Sequence, residues 1–162
     1  RACPLDMNLF VGEGNNYAKL TSTFFDEYMQ GTSVILLRPE LSTDPKDEPN
    51  TIVLPDFLYK GYDMKVTFDA SDPLSPNLKW DPQVVGSTGE AFQGNVWGDD
   101  KLRAMQPQGV MSYYNVCQHY FLQYMTLYVE GVGQVGTFLN VVEWISKAEY
   151  EKLERDLGLN NK

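Results

Sequence analysis

One of the two cysteines and the single histidine stand two residues apart, in the run Asn115-Val116-Cys117-Gln118-His119. On an extended strand, side chains at i and i+2 share a face. A thiolate–imidazole nucleophilic pair, or one corner of a zinc site, can therefore be drawn from Cys117 and His119. Either chemistry needs further ligands or an orienting group, and the chain has no CxxC, no HExxH and no second histidine. The plainer reading is a histidine at a strand edge. Gly86-Ser87-Thr88-Gly89 has neither P-loop nor GxSxG spacing and reads as a turn. Gly12, Gly14 and Gly31 do not make a dinucleotide fingerprint either. With no catalytic constellation, the expectation is a protein that is not an enzyme.

Carboxylates are the more abundant resource. From Leu41 to Asp100 there are 11 acids against 4 bases, clustered as Asp44, Asp47 and Glu48, then Asp69 and Asp72, then Asp99 and Asp100. Paired acids across a cleft can hydrolyse glycosides, but their separation in space is not a property of the sequence. Loop carboxylates are also hard oxygen ligands, so Ca²⁺ at Asp69 and Asp72 is the candidate metal site, although EF-hand spacing is missing. Otherwise no cofactor is expected, and solvated loop charge is the plainer reading of these acids. Trp80 (Lys79-Trp80-Asp81-Pro82) and Trp97 (Val96-Trp97-Gly98-Asp99-Asp100) lie in Asp- and Gly-rich stretches. A loop Trp beside a carboxylate stacks on and hydrogen-bonds a sugar ring. Trp80, Trp97, Asp99 and Asp100 are thus the candidate ligand-binding residues, set against the alternative that both rings anchor loops or bury against a partner.

The elements that must position these residues read as mainly β. Tyr62, Met64, Val66, Phe68 and Ala70 alternate with Asp63, Lys65, Thr67 and Asp69, the period of a half-buried strand. Ser33–Leu37 (SVILL) and Thr51–Leu54 are continuous apolar runs stopped by Pro39 and Pro55, as in strands buried on both faces. Tyr17, Leu20, Phe24 and Tyr28 recur at helical spacing, which predicts a helix over 16–30 against the β-preference of Thr21-Ser22-Thr23. Tyr120–Glu130, a Gly131-Val132-Gly133 turn and Thr137–Ile145 form a β-hairpin. Ser146 with Glu149 makes a capping box for a short closing helix over 146–158, stopped by Gly158, with an apolar stripe of Tyr150, Leu153 and Leu157. So thin a stripe must dock on its own domain or on a neighbour. Candidate strands fall near 5–11, 33–38, 51–54, 62–70, 78–85, 91–97, 120–130 and 137–145. The expected fold is one domain over 1–162, an antiparallel β-sandwich or jelly roll of about eight strands with one N-terminal helix and a short C-terminal helix.

Composition bounds the partners. In 162 residues, 43% are hydrophobic and 22% charged, which suits a packed domain and excludes a disordered one. The net charge is −9, with no basic run, so this segment is not expected to bind nucleic acid directly. No apolar stretch approaches the length of a membrane span. With only Cys3 and Cys117, and no Asn-X-Ser/Thr sequon, free thiols are favoured over a bridge. The first residue is Arg, as in a mature product or an excised fragment, so a basic arm or a further domain can lie outside it.

The segment Phe121–Ser146, FLQYMTLYVEGVGQVGTFLNVVEWIS, resembles the last two strands of the capsid jelly roll of small icosahedral RNA viruses, with nodavirus-like and tombusvirus-like shells nearest. The resemblance rests on the Val129-Glu130-Gly131 turn and the strand ending Val142-Glu143-Trp144-Ile145. It implies a virion structural protein, a capsid or projection domain, that meets copies of itself, other capsid subunits or a host receptor and does no chemistry. The basic arm of such shells is missing. The alternative is a secreted β-sandwich module that binds carbohydrate or another surface ligand through Trp80, Trp97 and the acidic loops.

Overall fold

A computed structural model describes residues 3–91 and 101–158. The chain is mainly β, and its described residues form eleven antiparallel strands joined in one sheet that curls into a half-barrel. The central ribbon is β10 (Tyr120–Val129) with β11 (Gly133–Trp144), as the alternation in that segment predicts. Phe121, Met125, Leu127 and Val129 of β10, and Phe138, Val142 and Trp144 of β11, turn to the concave core. Beyond β11 come β1 (Ala18–Phe25) and then β2 (Gln30–Leu37) at the sheet edge.

On its other side β10 forks. Tyr120–Leu122 pair with β9 (Ser112–Asn115), and Thr126–Val129 pair with β8 (Lys101–Met105). One branch continues from β9 through β6 (Asn77–Lys79), β5 (Met64–Asp69) and β4 (Thr51–Leu54) to the two-residue β3 (Glu40–Leu41). The other ends at β7 (Gln83–Ser87). The Gln83 side chain links the two branches. Its Oε1 accepts from the Lys65 N–H at 2.8 Å and its Nε2 donates to the Lys65 carbonyl at 3.0 Å. A side-chain amide thus makes the pair of bonds a neighbouring strand would make.

Several expectations are corrected. The helix predicted over 16–30 is β1 and the start of β2. Ala18, Leu20 and Ser22 are buried while their neighbours are less so, a period of two, and pairing to β11 and β2 on both sides outweighs the helical spacing. The predicted strand over 5–11 is instead one helical turn, α1 (Asn8–Val11), held by fully buried Phe10 and by the Trp144 indole N–H, which donates to the Phe10 carbonyl at 2.7 Å. SVILL is not buried on both faces. It belongs to edge strand β2, where Leu37 is the buried residue and Gln30–Val34 are exposed. The stretch 78–85 holds two strands, β6 and β7, and the Gly86–Gly89 turn is the end of β7 leading into α2 (Thr88–Ala91). The strand predicted over 91–97 lies, after Ala91, outside the described residues.

The two thiols are not free. Cys3 and Cys117 are bridged across 114 residues of sequence with their Cα atoms 5.3 Å apart, which ties the segment bearing Phe10 to the β9–β10 loop. Folding brings together two positions whose separation in the chain says nothing about their distance. The closing helix α3 (Lys147–Leu157) has the predicted caps: Ser146 Oγ accepts from the Glu149 N–H at 3.1 Å, and Gly158 is left-handed. It docks on its own domain by one ring. Tyr150 meets Tyr17 edge-on at 5.2 Å, and the Arg38 guanidinium lies 3.9 Å from the Tyr17 centroid.

Candidate functional site

The concave face carries a row of polar side chains at one level of the ladder. Ser33 of β2 pairs with Ser22 of β1, Ser22 with Asn140 of β11, and Asn140 with Gln123 of β10. The Ser22 hydroxyl donates to Asn140 Oδ1 at 2.6 Å, and Asn140 Nδ2 donates to Gln123 Oε1 at 2.9 Å. Ser22, Asn140 and Gln123 are all buried, and Gln123 Nε2 has no acceptor within the protein. A buried donor without a partner costs about 1–3 kcal/mol, so this row is an expense the fold carries within an otherwise apolar interior.

The outer part of the row opens into a half-open cavity of about 510 Å³. Phe24, Phe138 and Tyr59 supply aromatic walls, Ile35, Leu58 and Leu127 supply aliphatic ones, and Ser22 and Ser33 bring hydroxyls to it, while the Thr32 hydroxyl lies on the opposite face of β2 against Thr23. Two glycines make room for two of these rings. A Cβ on Gly136 of β11 would lie 2.3 Å from Phe24 Cε1, and one on Gly86 of β7 would lie 2.6 Å from Tyr59 Cδ2. Phe24 in turn leans on Phe138, with ring centroids 5.1 Å apart. A cavity of this size, apolar with a few convergent polar groups, has the dimensions and lining of a small-ligand site. Among the described residues that line it, none is Asp, Glu, His, Lys or Arg.

The residues singled out from sequence fall elsewhere. Trp80 is 7% exposed and packed into the core, and its indole N–H has no partner among the described residues. Trp97, Asp99 and Asp100 lie outside the described residues. Asp69 accepts from the Ser71 N–H at 3.0 Å and sits 3.7 Å from Lys79 Nζ. Hydrogen bonds from Ser71, and then Lys79, hold its carboxyl below the ordinary value. Asp72 instead caps the Leu74 N–H at 3.0 Å. Among the described residues no three or more His, Cys, Asp or Glu side chains are grouped to hold a metal. Cys117 is consumed by its disulfide, so the Cys–His pair has no thiol to offer. His119, at φ 54°, turns the chain into β10 and sets its ring 5.8 Å from Phe10.

The acidic loop over 42–50 is a closed electrostatic unit. Lys65 lies 2.7 Å from Asp47 and 3.5 Å from Asp44, while Lys79 is 3.2 Å from Glu48. Hydrogen bonds from Lys65 and then Ser42 hold Asp47 below its ordinary pKa, and Asp47 in turn raises Lys65. These acids are spent on fastening the loop to β5 and β6.

Sequence reasoning missed the cavity because the spacing of Phe24 suits a helix and no motif singles out Tyr59. The glycines carried a usable signal. Gly136 interrupts a β-branched strand, and a glycine within a strand marks a close approach by another group. Among the described residues, no helix is long and apolar enough to cross a membrane. No curated protein and no solved structure matches the chain. The family described as a domain of unknown function, DUF4984, matches residues 1–156, and the chain therefore belongs to the DUF4984 family.

Proposed function

We propose that this domain is a non-enzymatic recognition module that takes a carbohydrate ring into the cavity walled by Phe24, Tyr59 and Phe138. The observation that carries the reading is the pair of glycines, Gly136 and Gly86, whose missing side chains admit two of the three wall rings. Strand positions without a side chain lose packing and backbone entropy, so they are kept where something else needs the space. Aromatic faces stack on the C–H face of a sugar, and Ser22 and Ser33 offer hydroxyls to its polar edge. Among the described residues the lining brings no acid or base to the ligand, which supports binding without turnover. The Cys3–Cys117 bridge supports an oxidising location, secreted or on a particle surface, since cytosolic thiols stay reduced.

A glycan array with the wild type, Tyr59→Ala and, as a control at an exposed residue outside the lining, Tyr128→Ala tests this. Tyr59→Ala should weaken binding at least roughly tenfold, the equivalent of about 1.4 kcal/mol, while Tyr128→Ala should leave it unchanged. A wild type that binds no glycan, or binding lost only with Tyr128→Ala, would overturn it.

The second reading is a virion subunit with a jelly-roll core. What favours it is the exposed tip of the β10–β11 ribbon, where Tyr128 and Val132 face solvent at the end of the capsid-like segment. Electron microscopy of the intact parent protein decides it, because a particle built on this hairpin is required.

A further inference from the structure

Among the described residues, the sheet has three free edges, and two of them are blunted. β3 is two residues long behind Pro39, and β7 follows Pro82 and breaks register between Val84 and Gly86. Short strands, prolines and bulges are the devices by which proteins keep edges from pairing with other chains. β2 has none of them. It runs eight residues in unbroken register with β1, its sequence Gln-Gly-Thr-Ser-Val-Ile-Leu-Leu is uncharged, and Gln30–Val34 are exposed.

We infer that β2 is a dimer edge, pairing antiparallel with β2 of a second copy about a two-fold axis at Ser33. Two backbone hydrogen bonds define which groups are available. The Asp26 N–H donates to the Met29 carbonyl at 3.0 Å, and the Ile145 N–H donates to the Tyr17 carbonyl at 2.9 Å. Alternation along an antiparallel ladder then spends Gly31, Ser33, Ile35 and Leu37 on β1, and turns the N–H and C=O of Gln30, Thr32, Val34 and Leu36 outward. Paired residues must share a face. Registers centred on Ser33 and on Val34 satisfy this with equal overlap, but only the first pairs all four outward-turned residues within the strand, setting Gln30 opposite Leu36, Gly31 opposite Ile35, Thr32 opposite Val34, and Ser33 opposite itself.

Four features of the chain fit a second copy in that register. All the outward-turned backbone groups find partners. Gly31, where an added Cβ would meet nothing within 4 Å, leaves space beside the partner's Ile35. The polar row Gln123–Asn140–Ser22–Ser33 meets its own image at the axis, so it continues across the dimer instead of ending at an edge. Between Leu20 and Leu37 the only charges are Asp26 and Glu27 at the hairpin tip. Centring on Ser33 keeps the two tips about 27 Å apart, beyond the Debye length of about 8–10 Å, and brings each tip alongside exposed Arg38 of the other copy. A molecule of net charge −9 thereby meets itself through its least charged edge.

Sedimentation equilibrium from micromolar to sub-millimolar protein should show a monomer–dimer equilibrium. Thr32→Lys with Val34→Lys places like charges directly opposite one another across the axis, and should raise the dissociation constant at least roughly tenfold with an unchanged circular dichroism spectrum. Ser33→Cys should form an inter-chain disulfide on mild oxidation, because facing residues of a non-hydrogen-bonded pair have Cα atoms about 4.5 Å apart. Val132→Cys, on the exposed hairpin tip, should not. If the double Lys variant fails to fold, the two Cys variants carry the test alone. A wild type that stays monomeric throughout, a dimer that survives both lysines, or cross-linking at Val132 and not at Ser33 would each overturn the inference.

Discussion

Gly136→Ala and Gly31→Ala are the same chemical change at two strand glycines beside one cavity, and the structure assigns them opposite signs. At Gly136 the new Cβ would stand 2.3 Å from Phe24 Cε1 and 2.5 Å from Cζ. Carbon–carbon contact is comfortable at about 3.5–4.0 Å, so the ring must retreat by more than about 1 Å. Phe138 backs that ring at 5.1 Å, so the motion has to go into the cavity. Overpacking of this kind costs about 1–3 kcal/mol, or about 2–12 °C in melting temperature for a domain of this size. At Gly31 nothing lies within 4 Å of the new Cβ. The substitution there only removes freedom from the unfolded chain and should stabilise by about 0.4–1 kcal/mol. The gap between the variants is thus about 1.4–4 kcal/mol, readable by calorimetry on the two proteins side by side. Equal melting temperatures would refute the claim that Gly136 is kept for the Phe24 ring. A destabilised Gly136→Ala with undiminished sugar binding would spare that claim and refute the cavity as the site.

The disulfide closes a loop of more than 100 residues, so Cys117→Ala or full reduction should cost about 4–5 kcal/mol, lowering the melting temperature by about 8–20 °C. Differential scanning fluorimetry with and without reductant measures it. Asn140→Ala removes two buried hydrogen bonds and leaves Ser22 and Gln123 without that partner. It should cost about 2–4 kcal/mol, read as a shift in the urea midpoint. The Asp47 carboxyl is held below its ordinary value by Lys65 and Ser42, so its contribution is present above the ordinary carboxylate pKa. That contribution is lost as pH falls through the depressed value. Amide protection in the loop over 42–50, taken relative to the intrinsic exchange rate at each pH, should therefore fall in acid, and Asp47→Asn should show low protection already at neutral pH.

Legibility in the sequence followed the range of the interaction responsible. The β10–β11 ribbon, β4, β5 and the caps of α3 were readable because alternation, a glycine turn and Ser146 with Glu149 act between residues a few positions apart. The same local reasoning put a helix over 16–30. Leu20, Phe24 and Tyr28, four residues apart, suit either period, and the choice is made by β11 and β2, which lie beside this stretch only in the folded chain. Likewise SVILL shows its apolar content but not that β2 is the last strand, which depends on how many neighbours the sheet has room for.

Composition and periodicity alone determined a mainly β, acidic domain with no catalytic motif in its sequence and a capped closing helix. Tertiary structure decided the rest: the Cys3–Cys117 bridge, the fork in β10, the polar row across four strands, and the cavity between Phe24, Phe138 and Tyr59. Each of these joins residues that are far apart in the chain. Their proximity is set by strand register and sheet curl, and a run of residue types records neither.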